Sequence, residues 1–431
     1  MTYLHTEDIE LKYGMRSLRL PATAPTTYTT LLPTLPEEIV ETEEYINTIL
    51  DFPIDSQPFN EKFKKNSRVV VIISDITRST ASEIYLPIII NRLNQTGIPD
   101  KNITFVCALA IHRKHTREEH KKLIGSTFFE RFTIIDHDAF DKDTMITLGK
   151  TTRGTTIEVN HLVAEADHVI LTGAIRFHYF AGFSGGRKSI LPGVSAFNSC
   201  VANHLLVLNQ NNQGGRHPLA RTGILKGNPV HEDMAEACNH LSSLFLFNTI
   251  LSPQKKLLKA VSGNPHSAFY QGCRFLKKHF SAPVTQKADM VIASCGGNPW
   301  DINFIQAHKT IDMAVNALKE GGALILLAEC SQGFGNPRFL KWFDYLDPRK
   351  FENTLRSNYE INGQTAYATF LKALKYHIIL ISSLPPDEVE KMSFIPASSF
   401  EKALEIAYRR TGSPRLTYII PEGSSFLPLT T

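Results

Sequence analysis

The chain has 431 residues, of which 42% are hydrophobic, 20% charged and 10% aromatic. That balance excludes a long disordered or low-complexity protein and, at roughly 150 residues per domain, suits two or three globular domains. The net charge of +4 is too small to predict nucleic-acid binding without a concentrated basic patch, and the sequence has no such patch.

Short apolar runs rich in β-branched residues alternate with longer segments of helical spacing, which predicts a largely parallel α/β fold. The predicted strands are Arg68–Asp75, Ile103–Leu109, His168–Ala174, Ala288–Cys295, Ala323–Glu329, His377–Leu384 and Leu416–Pro421. The predicted helices cover 196–209, 230–241, 266–279, 302–319, 349–358, 364–376 and 399–411. Two Thr-x-x-Glu capping boxes, Thr80 with Glu83 and Thr116 with Glu119, predict the starts of two further helices.

The domain boundary is placed by composition. A polar, proline-containing stretch, Ser281-Ala-Pro-Val-Thr-Gln-Lys287, separates a predicted helix from a new strand. We therefore expect two α/β domains with mainly parallel sheets flanked by helices, an N-terminal domain over 1–280 and a C-terminal domain over 287–431. We leave open whether the last segment packs back on the first domain.

The cysteines and the chain start bear on the compartment. Six scattered cysteines include no C-x-x-C pair, so neither a disulfide framework nor a structural zinc site is indicated. The N-terminal MTYLHTEDIELKYG lacks the basic start and apolar stretch of a secretory signal, and no apolar run reaches the ~18 residues of a membrane span. We expect a cytoplasmic protein with reduced thiols and no membrane or nucleic-acid partner.

Two polar motifs directly follow predicted strands, where open α/β sheets bind ligands. Ser74-Asp-Ile-Thr-Arg-Ser-Thr80 places Asp75 and Arg78 there, and a guanidinium can hold a carboxylate or phosphate through two bonds. A turn-capping Asp75 with Arg78 as counter-ion is an equally good interpretation. Ala110-Ile-His-Arg-Lys-His-Thr116 places His112 at the same edge, although a lone loop histidine is more often a hydrogen-bonding residue than a base.

The glycine-rich segment FHYFAGFSGGRKSILPGVS (177–195) is the most informative motif. Its glycines allow close backbone approach and offer N–H groups, and Ser195 is suited to cap the next helix, so the segment predicts a phosphate cradle. It matches neither the Rossmann nor the P-loop pattern. Lys188 is either a phosphate partner or an amine made nucleophilic by neighbouring cations. His204, on the following helix, is a suitable metal ligand but does not form a metal site alone.

A fourth motif lies on the helix predicted after the strand that ends at Cys295. Gln306 and Lys309 are three positions apart and share one helix face, so both can point into a cleft. Without other context, the better interpretation of Lys309 is a solvated helix lysine.

Together the four motifs resemble the nickel-dependent lactate racemase family, whose members carry a nickel-pincer nucleotide. The family patterns are Asp-x-Thr-Arg, His-Arg-x-x-Thr, a histidine with a glycine-rich run, a lysine and a later histidine, and Gln-x-x-Lys. They occur here in the same order. The matching residues of this chain are Asp75, Arg78, His112, Arg113, Thr116, His178, Lys188, His204, Gln306 and Lys309.

The resemblance implies an active site in the crevice between two domains and a specific cofactor. That cofactor is a pyridinium mononucleotide with thioamide and thiocarboxylate sulfurs, attached covalently at Lys188, with nickel bound by the sulfurs, the pincer carbon and His204. The resemblance also implies enzymes that build the cofactor as partners. The further cofactor-binding residues expected here are Asp75, Ser184, Gly185, Gly186 and Ser195.

The resemblance further implies a racemase or epimerase of a small-molecule 2-hydroxy acid. His112 and His178 would exchange acid and base roles on the hydroxyl group, while hydride moves to the pyridinium ring and returns to the opposite face, which avoids a carbanion. Arg78, Gln306 and Lys309 would bind the substrate carboxylate. Lactate-acting members have a tyrosine where this chain has Ile305, so a larger 2-hydroxy acid or a sugar acid is also expected as a substrate class.

Two other functions stay open. A non-catalytic carrier of an anionic nucleotide would keep the phosphate cradle but would not need paired histidines. A nicotinamide-dependent 2-hydroxy acid dehydrogenase would need a dinucleotide fingerprint, which the sequence lacks.

Overall fold

The computed structural model describes residues 9–25, 27–210 and 214–430. The start of the segment used for the signal-sequence prediction lies outside these residues. The chain divides into two compact units, and the described residues of 35–207 and 218–276 form the central unit. Those of 1–34, 208–217 and 277–431 form the terminal unit. The break at 276–277 lies close to the predicted boundary, and the terminal unit also includes the first described part of the chain.

The elements of the described chain are numbered in order. The strands are β1 (Glu10–Tyr13), β2 (Arg16–Arg19), β3 (Thr29–Thr30), β4 (Val69–Ser74), β5 (Ile103–Ala108), β6 (Thr133–Asp136), β7 (Met145–Lys150), β8 (Thr156–Asn160), β9 (His168–Ala174), β10 (Phe177–His178), β11 (Gly182–Phe183), β12 (Leu244–Leu251), β13 (Leu257–Gly263), β14 (Ser281–Val284), β15 (Ala288–Ser294), β16 (Leu318–Leu327), β17 (His377–Ile381), β18 (Ile395–Ala397), β19 (Thr417–Ile420) and β20 (Leu427–Thr430). The α-helices are α1 (Thr42–Asp51), α2 (Phe59–Lys62), α3 (Ser82–Gln95), α4 (Arg117–Ile124), α5 (Ser126–Arg131), α6 (His161–Ala164), α7 (Phe197–Leu205), α8 (Pro229–Cys238), α9 (Ser267–His279), α10 (Phe304–Ala314), α11 (Pro348–Ser357), α12 (Gly363–Ala373), α13 (Pro386–Lys391) and α14 (Phe400–Thr411). Short 3₁₀ turns include Gly186–Ser189.

The central unit is built on a sheet of order β13-β12-β9-β4-β5-β6. All its neighbouring pairs are parallel except β12 with β13. The β4 sequence VVVIIS is almost wholly buried, as expected for a parallel strand covered on both faces. The buried aromatic side chains of its core include Phe59, Tyr85, Phe105, Phe245 and Phe247.

The strand order of the central sheet positions a site. From β4 the chain moves outward through β5 to β6, whereas β9 and then β12 lie on the opposite side of β4. The order therefore reverses between β4 and β9. Ligands of open α/β sheets bind beyond the carboxyl ends of the strands at such a reversal.

The terminal unit contains a second, fully parallel sheet of order β18-β17-β16-β15-β19-β3. The edge strand β3 comes from the start of the chain and pairs Thr29 with Tyr418. The β1–β2 hairpin is anchored where the Gly14 amide donates to Asp301 Oδ2 at 2.6 Å. The last strand, β20, pairs with β14 in this same unit.

The predicted α/β class and all seven predicted strands are confirmed. The Thr116 capping box is also confirmed, because the Glu119 amide donates to Thr116 Oγ1 at 3.2 Å and the Thr116 amide to Glu119 Oε2 at 2.8 Å. The Thr80 capping box is wrong. Helix α3 starts at Ser82 after Ala81, which has a φ of +58° and no side-chain cap, so the chain turns before the helix begins.

Two further expectations concern membrane-spanning helices and the cysteines. No helix in the described part of the chain has both the length and the apolar character to span a bilayer. All six cysteines are free and buried.

Gly182, at the start of β11, occupies a position at which only glycine fits, and a substitution there should reduce the stability of the fold. Its φ is +77°, and a Cβ there would lie 2.2 Å from the Ile224 carbonyl oxygen. We expect Gly182→Ala to lower the free energy of unfolding by about 2–5 kcal/mol, the sum of left-handed strain and overpacking. Gly154→Ala is the matched control, since its φ is +86° and nothing lies within 4 Å of its Cβ position. Urea unfolding of both variants measures the difference, and equal losses would contradict the steric argument.

Candidate active site

Three segments beyond the carboxyl ends of central-unit strands carry three of the predicted site residues. Asp75 directly follows β4, His112 lies in the loop after β5, and His178 ends the short strand β10 that follows β9. Asp75 and His112 are in contact, so their predicted placement at one edge of the sheet is confirmed. The strands β4 and β9 are the pair between which the strand order reverses.

Asp75 organises the first two loops. Its Oδ2 lies 3.5 Å from Arg78 Nε and 3.5 Å from His112 Nδ1, and its Oδ1 accepts the Thr77 amide at 2.8 Å. Burial alone would raise the pKa of this carboxyl, but the bond from His112 and the charge of Arg78 hold the pKa well below its ordinary value. Asp75 therefore caps its turn and pairs with Arg78, as the second interpretation of this motif predicted, and ligand binding by Asp75 or Arg78 stays a prediction.

The exposure of these side chains shows which of them a ligand can reach. The Asp75 side chain is 8% exposed, whereas those of Arg78 and His112 are 51% and 45% exposed. A ligand at this edge can therefore reach Arg78 and His112, while Asp75 holds them from below.

His178 is fixed by its own loop. The Ala181 amide donates to His178 Nδ1 at 3.2 Å, which places the proton of the neutral ring on Nε2. The ring stacks with Tyr179 at 5.3 Å between centroids and meets Phe180 edge-on at 4.6 Å.

The glycine-rich segment differs from the predicted phosphate cradle. The Gly186 amide donates to Asn248 Oδ1 at 2.7 Å, and the Ser184 hydroxyl donates to the Ala174 carbonyl at 2.9 Å. A Cβ at Gly185 would lie 2.6 Å from the same Asn248 oxygen, so this glycine is needed for close packing. These polar groups bind the protein itself. Cofactor contact by Ser184, Gly185 and Gly186 stays a prediction.

Ser195 is not the N-cap of the next helix. The N-cap of α7 is Ala196, which makes no side-chain cap, and Ser195 is fully buried with its hydroxyl donating to the Ile190 carbonyl at 2.8 Å. Because the Ser195 hydroxyl bonds within this turn, it does not cap the helix that follows. The predicted Ser195 N-cap is therefore wrong, and cofactor contact by Ser195 stays a prediction.

Lys188 lies in the 3₁₀ turn Gly186–Ser189. Burial, followed by the positive charges of Arg187 and Arg78, lowers the pKa of its amine to about 7. A substantial fraction of the amine is therefore neutral, and nucleophilic, at physiological pH. Burial lowers this pKa more than the neighbouring cations do, and the choice between a nucleophile and a phosphate partner stays a prediction.

His204 lies near the end of α7 and is buried. Burial, together with the charges of Lys188 and His112, lowers its pKa to about 3, so its imidazole is neutral and chemically suited to bind a metal. Cys200, one turn earlier, is not an equivalent ligand. Burial raises the pKa of its thiol to about 12.

Phe180 was given no role from the sequence, whereas Arg187 was expected only as a cation beside Lys188. Phe180 lies at the centre of this site, with its ring centroid 5.3 Å from that of His204 and 5.7 Å from Lys188 Nζ. Arg187 is buried, donates to His231 Nδ1 at 2.9 Å and to the Ala181 carbonyl at 2.7 Å, and lies 4.3 Å over the Phe269 ring. None of these partners is an anion that would offset the positive charge of Arg187. That charge therefore helps to lower the pKa of Lys188. Both residues lie inside the glycine-rich segment, which was the available signal.

Gln306 and Lys309 belong to the terminal unit. They share one face of α10, as predicted, and Lys309 Nζ donates to Gln306 Oε1. Asn303 caps this helix by accepting the Gln306 amide at 3.1 Å. Their role in binding a carboxylate stays a prediction.

A second group of metal-ligating side chains was also missed. The Cys107 cluster consists of Cys107, His115, His120 and Asp136, whose ligand atoms all lie within 4.8 Å of one another. Its members come from two strands, a helix and a loop and include a single cysteine, so a search for C-x-x-C pairs does not detect it.

Comparison with known proteins is consistent with this geometry. Residues 13–215 match the lactate racemase N-terminal domain, and residues 284–427 match the lactate racemase C-terminal domain. The lactate racemase of Lactiplantibacillus plantarum is 34% identical over 387 residues, which cover 88% of this chain and 89% of that protein. The chain belongs to the lactate racemase family. It is therefore an isomerase of the racemase type.

Further members and structures extend the family match. The lactate racemase of Thermoanaerobacterium thermosaccharolyticum is 32% identical, over 89% of this chain and 90% of that protein. The structure of the lactate racemase apoprotein from that organism has a TM-score of 0.88 at 29% identity, over 98% of this chain and 99% of that chain. A Thermotoga maritima crystal structure has a TM-score of 0.66 at 17% identity, over 93% of this chain and 100% of that one, and shows the fold alone.

Buried histidines predict a dependence of stability on pH. The pKa values of His204, His231 and His308 are each lowered to about 3, chiefly by burial. Since an unfolded histidine titrates near pH 6.5, the unfolded chain binds more protons, and stability falls as pH drops from about 6.5 towards 3. The loss is about 2 kcal/mol per histidine between pH 7 and pH 5. Denaturant unfolding at both values should show a smaller loss in His231→Gln, and an unchanged loss would contradict this assignment.

Proposed function

We propose that this racemase inverts the carbinol carbon of a 2-hydroxy acid by proton-coupled hydride transfer with a nickel-pincer nucleotide. One observation carries the proposal: Lys188, His204 and His112 occur together in the central unit of a family member. The pKa of the Lys188 amine is about 7, the His204 imidazole is neutral, and Asp75 contacts His112. Lactate, the substrate named for the relatives, is the first acid to test. Ile305, in the first turn of α10, stands where lactate-acting members of the family have a tyrosine, so larger 2-hydroxy acids and sugar acids stay in the proposal.

The residues present fit such a cofactor. Lys188 supplies an amine able to form a covalent link near pH 7, and His204 supplies a neutral imidazole for nickel. Burial keeps Cys200 as a thiol, so nickel would depend on His204 and on the sulfurs of the nucleotide. When bound, the nucleotide supplies a pyridinium ring that takes hydride from the carbinol carbon and gives it back.

The two histidines are prepared for opposite roles. Asp75 Oδ2 lies beside His112 Nδ1 and favours a proton on that nitrogen, so His112 Nε2 is the atom that accepts the hydroxyl proton. The Ala181 amide at His178 Nδ1 leaves the proton of the neutral His178 ring on Nε2, so that Nε2–H can donate a hydrogen bond to a substrate oxygen. His178 would act as the acid in its imidazolium form, which gives up one proton and returns to the neutral ring. Inversion in the reverse direction exchanges these roles.

The remaining parts of the proposal concern binding and cellular setting. Arg78, half-exposed and held by Asp75, is suited to bind the substrate carboxylate through two bonds. Gln306 and Lys309 are proposed to contact the same class of group. The enzymes that build the cofactor are the expected partners, and six free cysteines support the cytoplasm as the expected location.

Isotope retention tests the proposal. The chain is expressed with the genes that build the cofactor and incubated with enantiopure 2-hydroxy acids, beginning with lactate, in deuterated water. Chiral chromatography with mass spectrometry should show inversion with the original hydrogen retained on the carbinol carbon. Rapid washing of that hydrogen into solvent would contradict hydride transfer. NAD-dependent accumulation of ketone would indicate a dehydrogenase, and a cofactor mass increment without inversion of any acid would indicate a carrier.

A further inference from the structure

We propose that the Cys107 cluster binds one divalent cation of the zinc type, separately from the proposed nickel at His204. The ligands are Cys107 Sγ, His120 Nε2 and a carboxylate oxygen of Asp136, and His115 orients the carboxylate. A water molecule completes the coordination. Zinc binds cysteine sulfur, histidine nitrogen and carboxylate oxygen, and zinc sites with three protein ligands keep a fourth position for water.

The distances suit a tetrahedral ion. His120 Nε2 lies 2.9 Å from Asp136 Oδ1, and all ligand atoms of the cluster lie within 4.8 Å of one another. Zinc bonds of about 2.0–2.3 Å place neighbouring ligands roughly 3.3–3.8 Å apart. Binding therefore requires shifts on the order of 1 Å in side chains that already converge.

His115 has the hydrogen bonds of an outer-shell residue. Its Nε2 accepts the Ile76 amide at 3.1 Å, so the neutral ring carries its proton on Nδ1, which lies 2.8 Å from Asp136 Oδ1. Its own amide donates to Asp136 Oδ2 at 2.6 Å. Metal-binding carboxylates are commonly oriented by such donors. This arrangement excludes His115 Nδ1 as a ligand while the Ile76 bond is intact.

The site is enclosed but can be reached. Cys107 is fully buried, the side chains of His115 and Asp136 are 2% and 9% exposed, and that of His120 is 16% exposed. An ion would enter beside His120. The Cys107 thiol then releases its proton to solvent as the sulfur–metal bond forms, so binding is accompanied by proton release.

The position of the ion gives it a role in the fold. Cys107 lies in β5, His120 lies in α4 and Asp136 ends β6, so one ion joins both sides of the loop that carries His112. The Ile76 bond connects the same cluster to the loop of Asp75 and Arg78. An effect of the ion on inversion rests on the proposed function, whereas binding of the ion does not.

Cobalt binding to the full chain, expressed without the cofactor genes and treated with a chelator, tests the site. We expect one equivalent of Co²⁺ to give a thiolate-to-cobalt charge-transfer band and the visible bands of a tetrahedral ion. Cys107→Ser should remove the charge-transfer band and weaken binding at least about 100-fold. His115→Ala should keep the band and weaken binding about 10–100-fold, as loss of an outer-shell partner does.

Matched variants separate this site from others. Cys273→Ser removes an equally buried cysteine that belongs to no such cluster among the described residues, and His204→Ala removes the proposed nickel ligand. Both should bind Co²⁺ like the parent chain. No band in the parent chain at saturating Co²⁺, a band that survives Cys107→Ser, or one that disappears in His204→Ala would overturn the proposal.

A second variant covers a failure of Cys107→Ser to fold. Asp136→Asn keeps the shape of the side chain but removes the charge, and we expect it to fold and to bind Co²⁺ at least about 10-fold more weakly. In thermal unfolding, Zn²⁺ should raise the midpoint of the parent chain and of Cys273→Ser but not that of Asp136→Asn. An equal rise in all three would contradict the assigned ligands.

Discussion

Replacing Lys188 with methionine should abolish the covalent mass increment that the parent chain acquires when it is expressed with the cofactor genes. Lys188 is the amine whose pKa is lowered to about 7, and methionine has similar length without a nucleophilic nitrogen. Intact-protein mass spectrometry measures the increment directly. Inversion of the substrate should fall to the level of the parent chain expressed without those genes.

The unfolding temperature of Lys188→Met provides the control, because it shows whether the variant still folds. Burying an amine costs free energy, so Lys188→Met should unfold at the same temperature as the parent chain or higher. Lys188→Arg keeps a cation but not the nucleophile and should also lack the increment. A full mass increment in either variant would show that the link is made elsewhere.

Replacing His112 with alanine should reduce inversion about 10²–10⁴-fold while the covalent increment is kept. The expected loss is that of a positioned proton-transfer group, and His112 is the exposed imidazole that Asp75 holds at 3.5 Å. Chiral chromatography measures inversion from each enantiomer separately. Because the two histidines exchange roles, both directions should be lost together.

The matched control for His112 is another partly exposed histidine of the central unit. His161, on α6, has its Nδ1 3.2 Å from the Thr144 carbonyl oxygen, and His161→Ala should keep full inversion. His178→Ala should lose inversion as His112→Ala does. Full activity in His112→Ala would remove it from the proposed acid–base pair.

The sequence contained enough information for the sheets and for the edge at which the site lies. Fully buried parallel strands such as β4 are continuous apolar runs, and the polar residues after them mark their carboxyl ends. The loops of Asp75 and His112 were located by that argument. The strands β12 and β13 were not predicted, although β12 is wholly buried, because an isolated apolar run is ambiguous between strand and helix.

Two of the errors come from contacts between distant parts of the chain and one from a bond inside a turn. The Gly186 amide looks available to a ligand until Asn248, on β12, is seen to accept it. The hydroxyl of Ser195 bonds to a carbonyl inside its own turn, which local helix-start rules do not anticipate. The Cys107 cluster likewise forms only when β5, β6 and α4 are brought together.

The pairing of Thr29 with Tyr418 has a consequence for synthesis. These partners are 389 positions apart, so β3 leaves the ribosome long before the strand beside which it belongs. At about 5–20 residues per second, the delay is roughly 20–80 s. Through most of translation, the backbone N–H and C=O groups of β3 therefore lack the strand with which they pair in the folded chain.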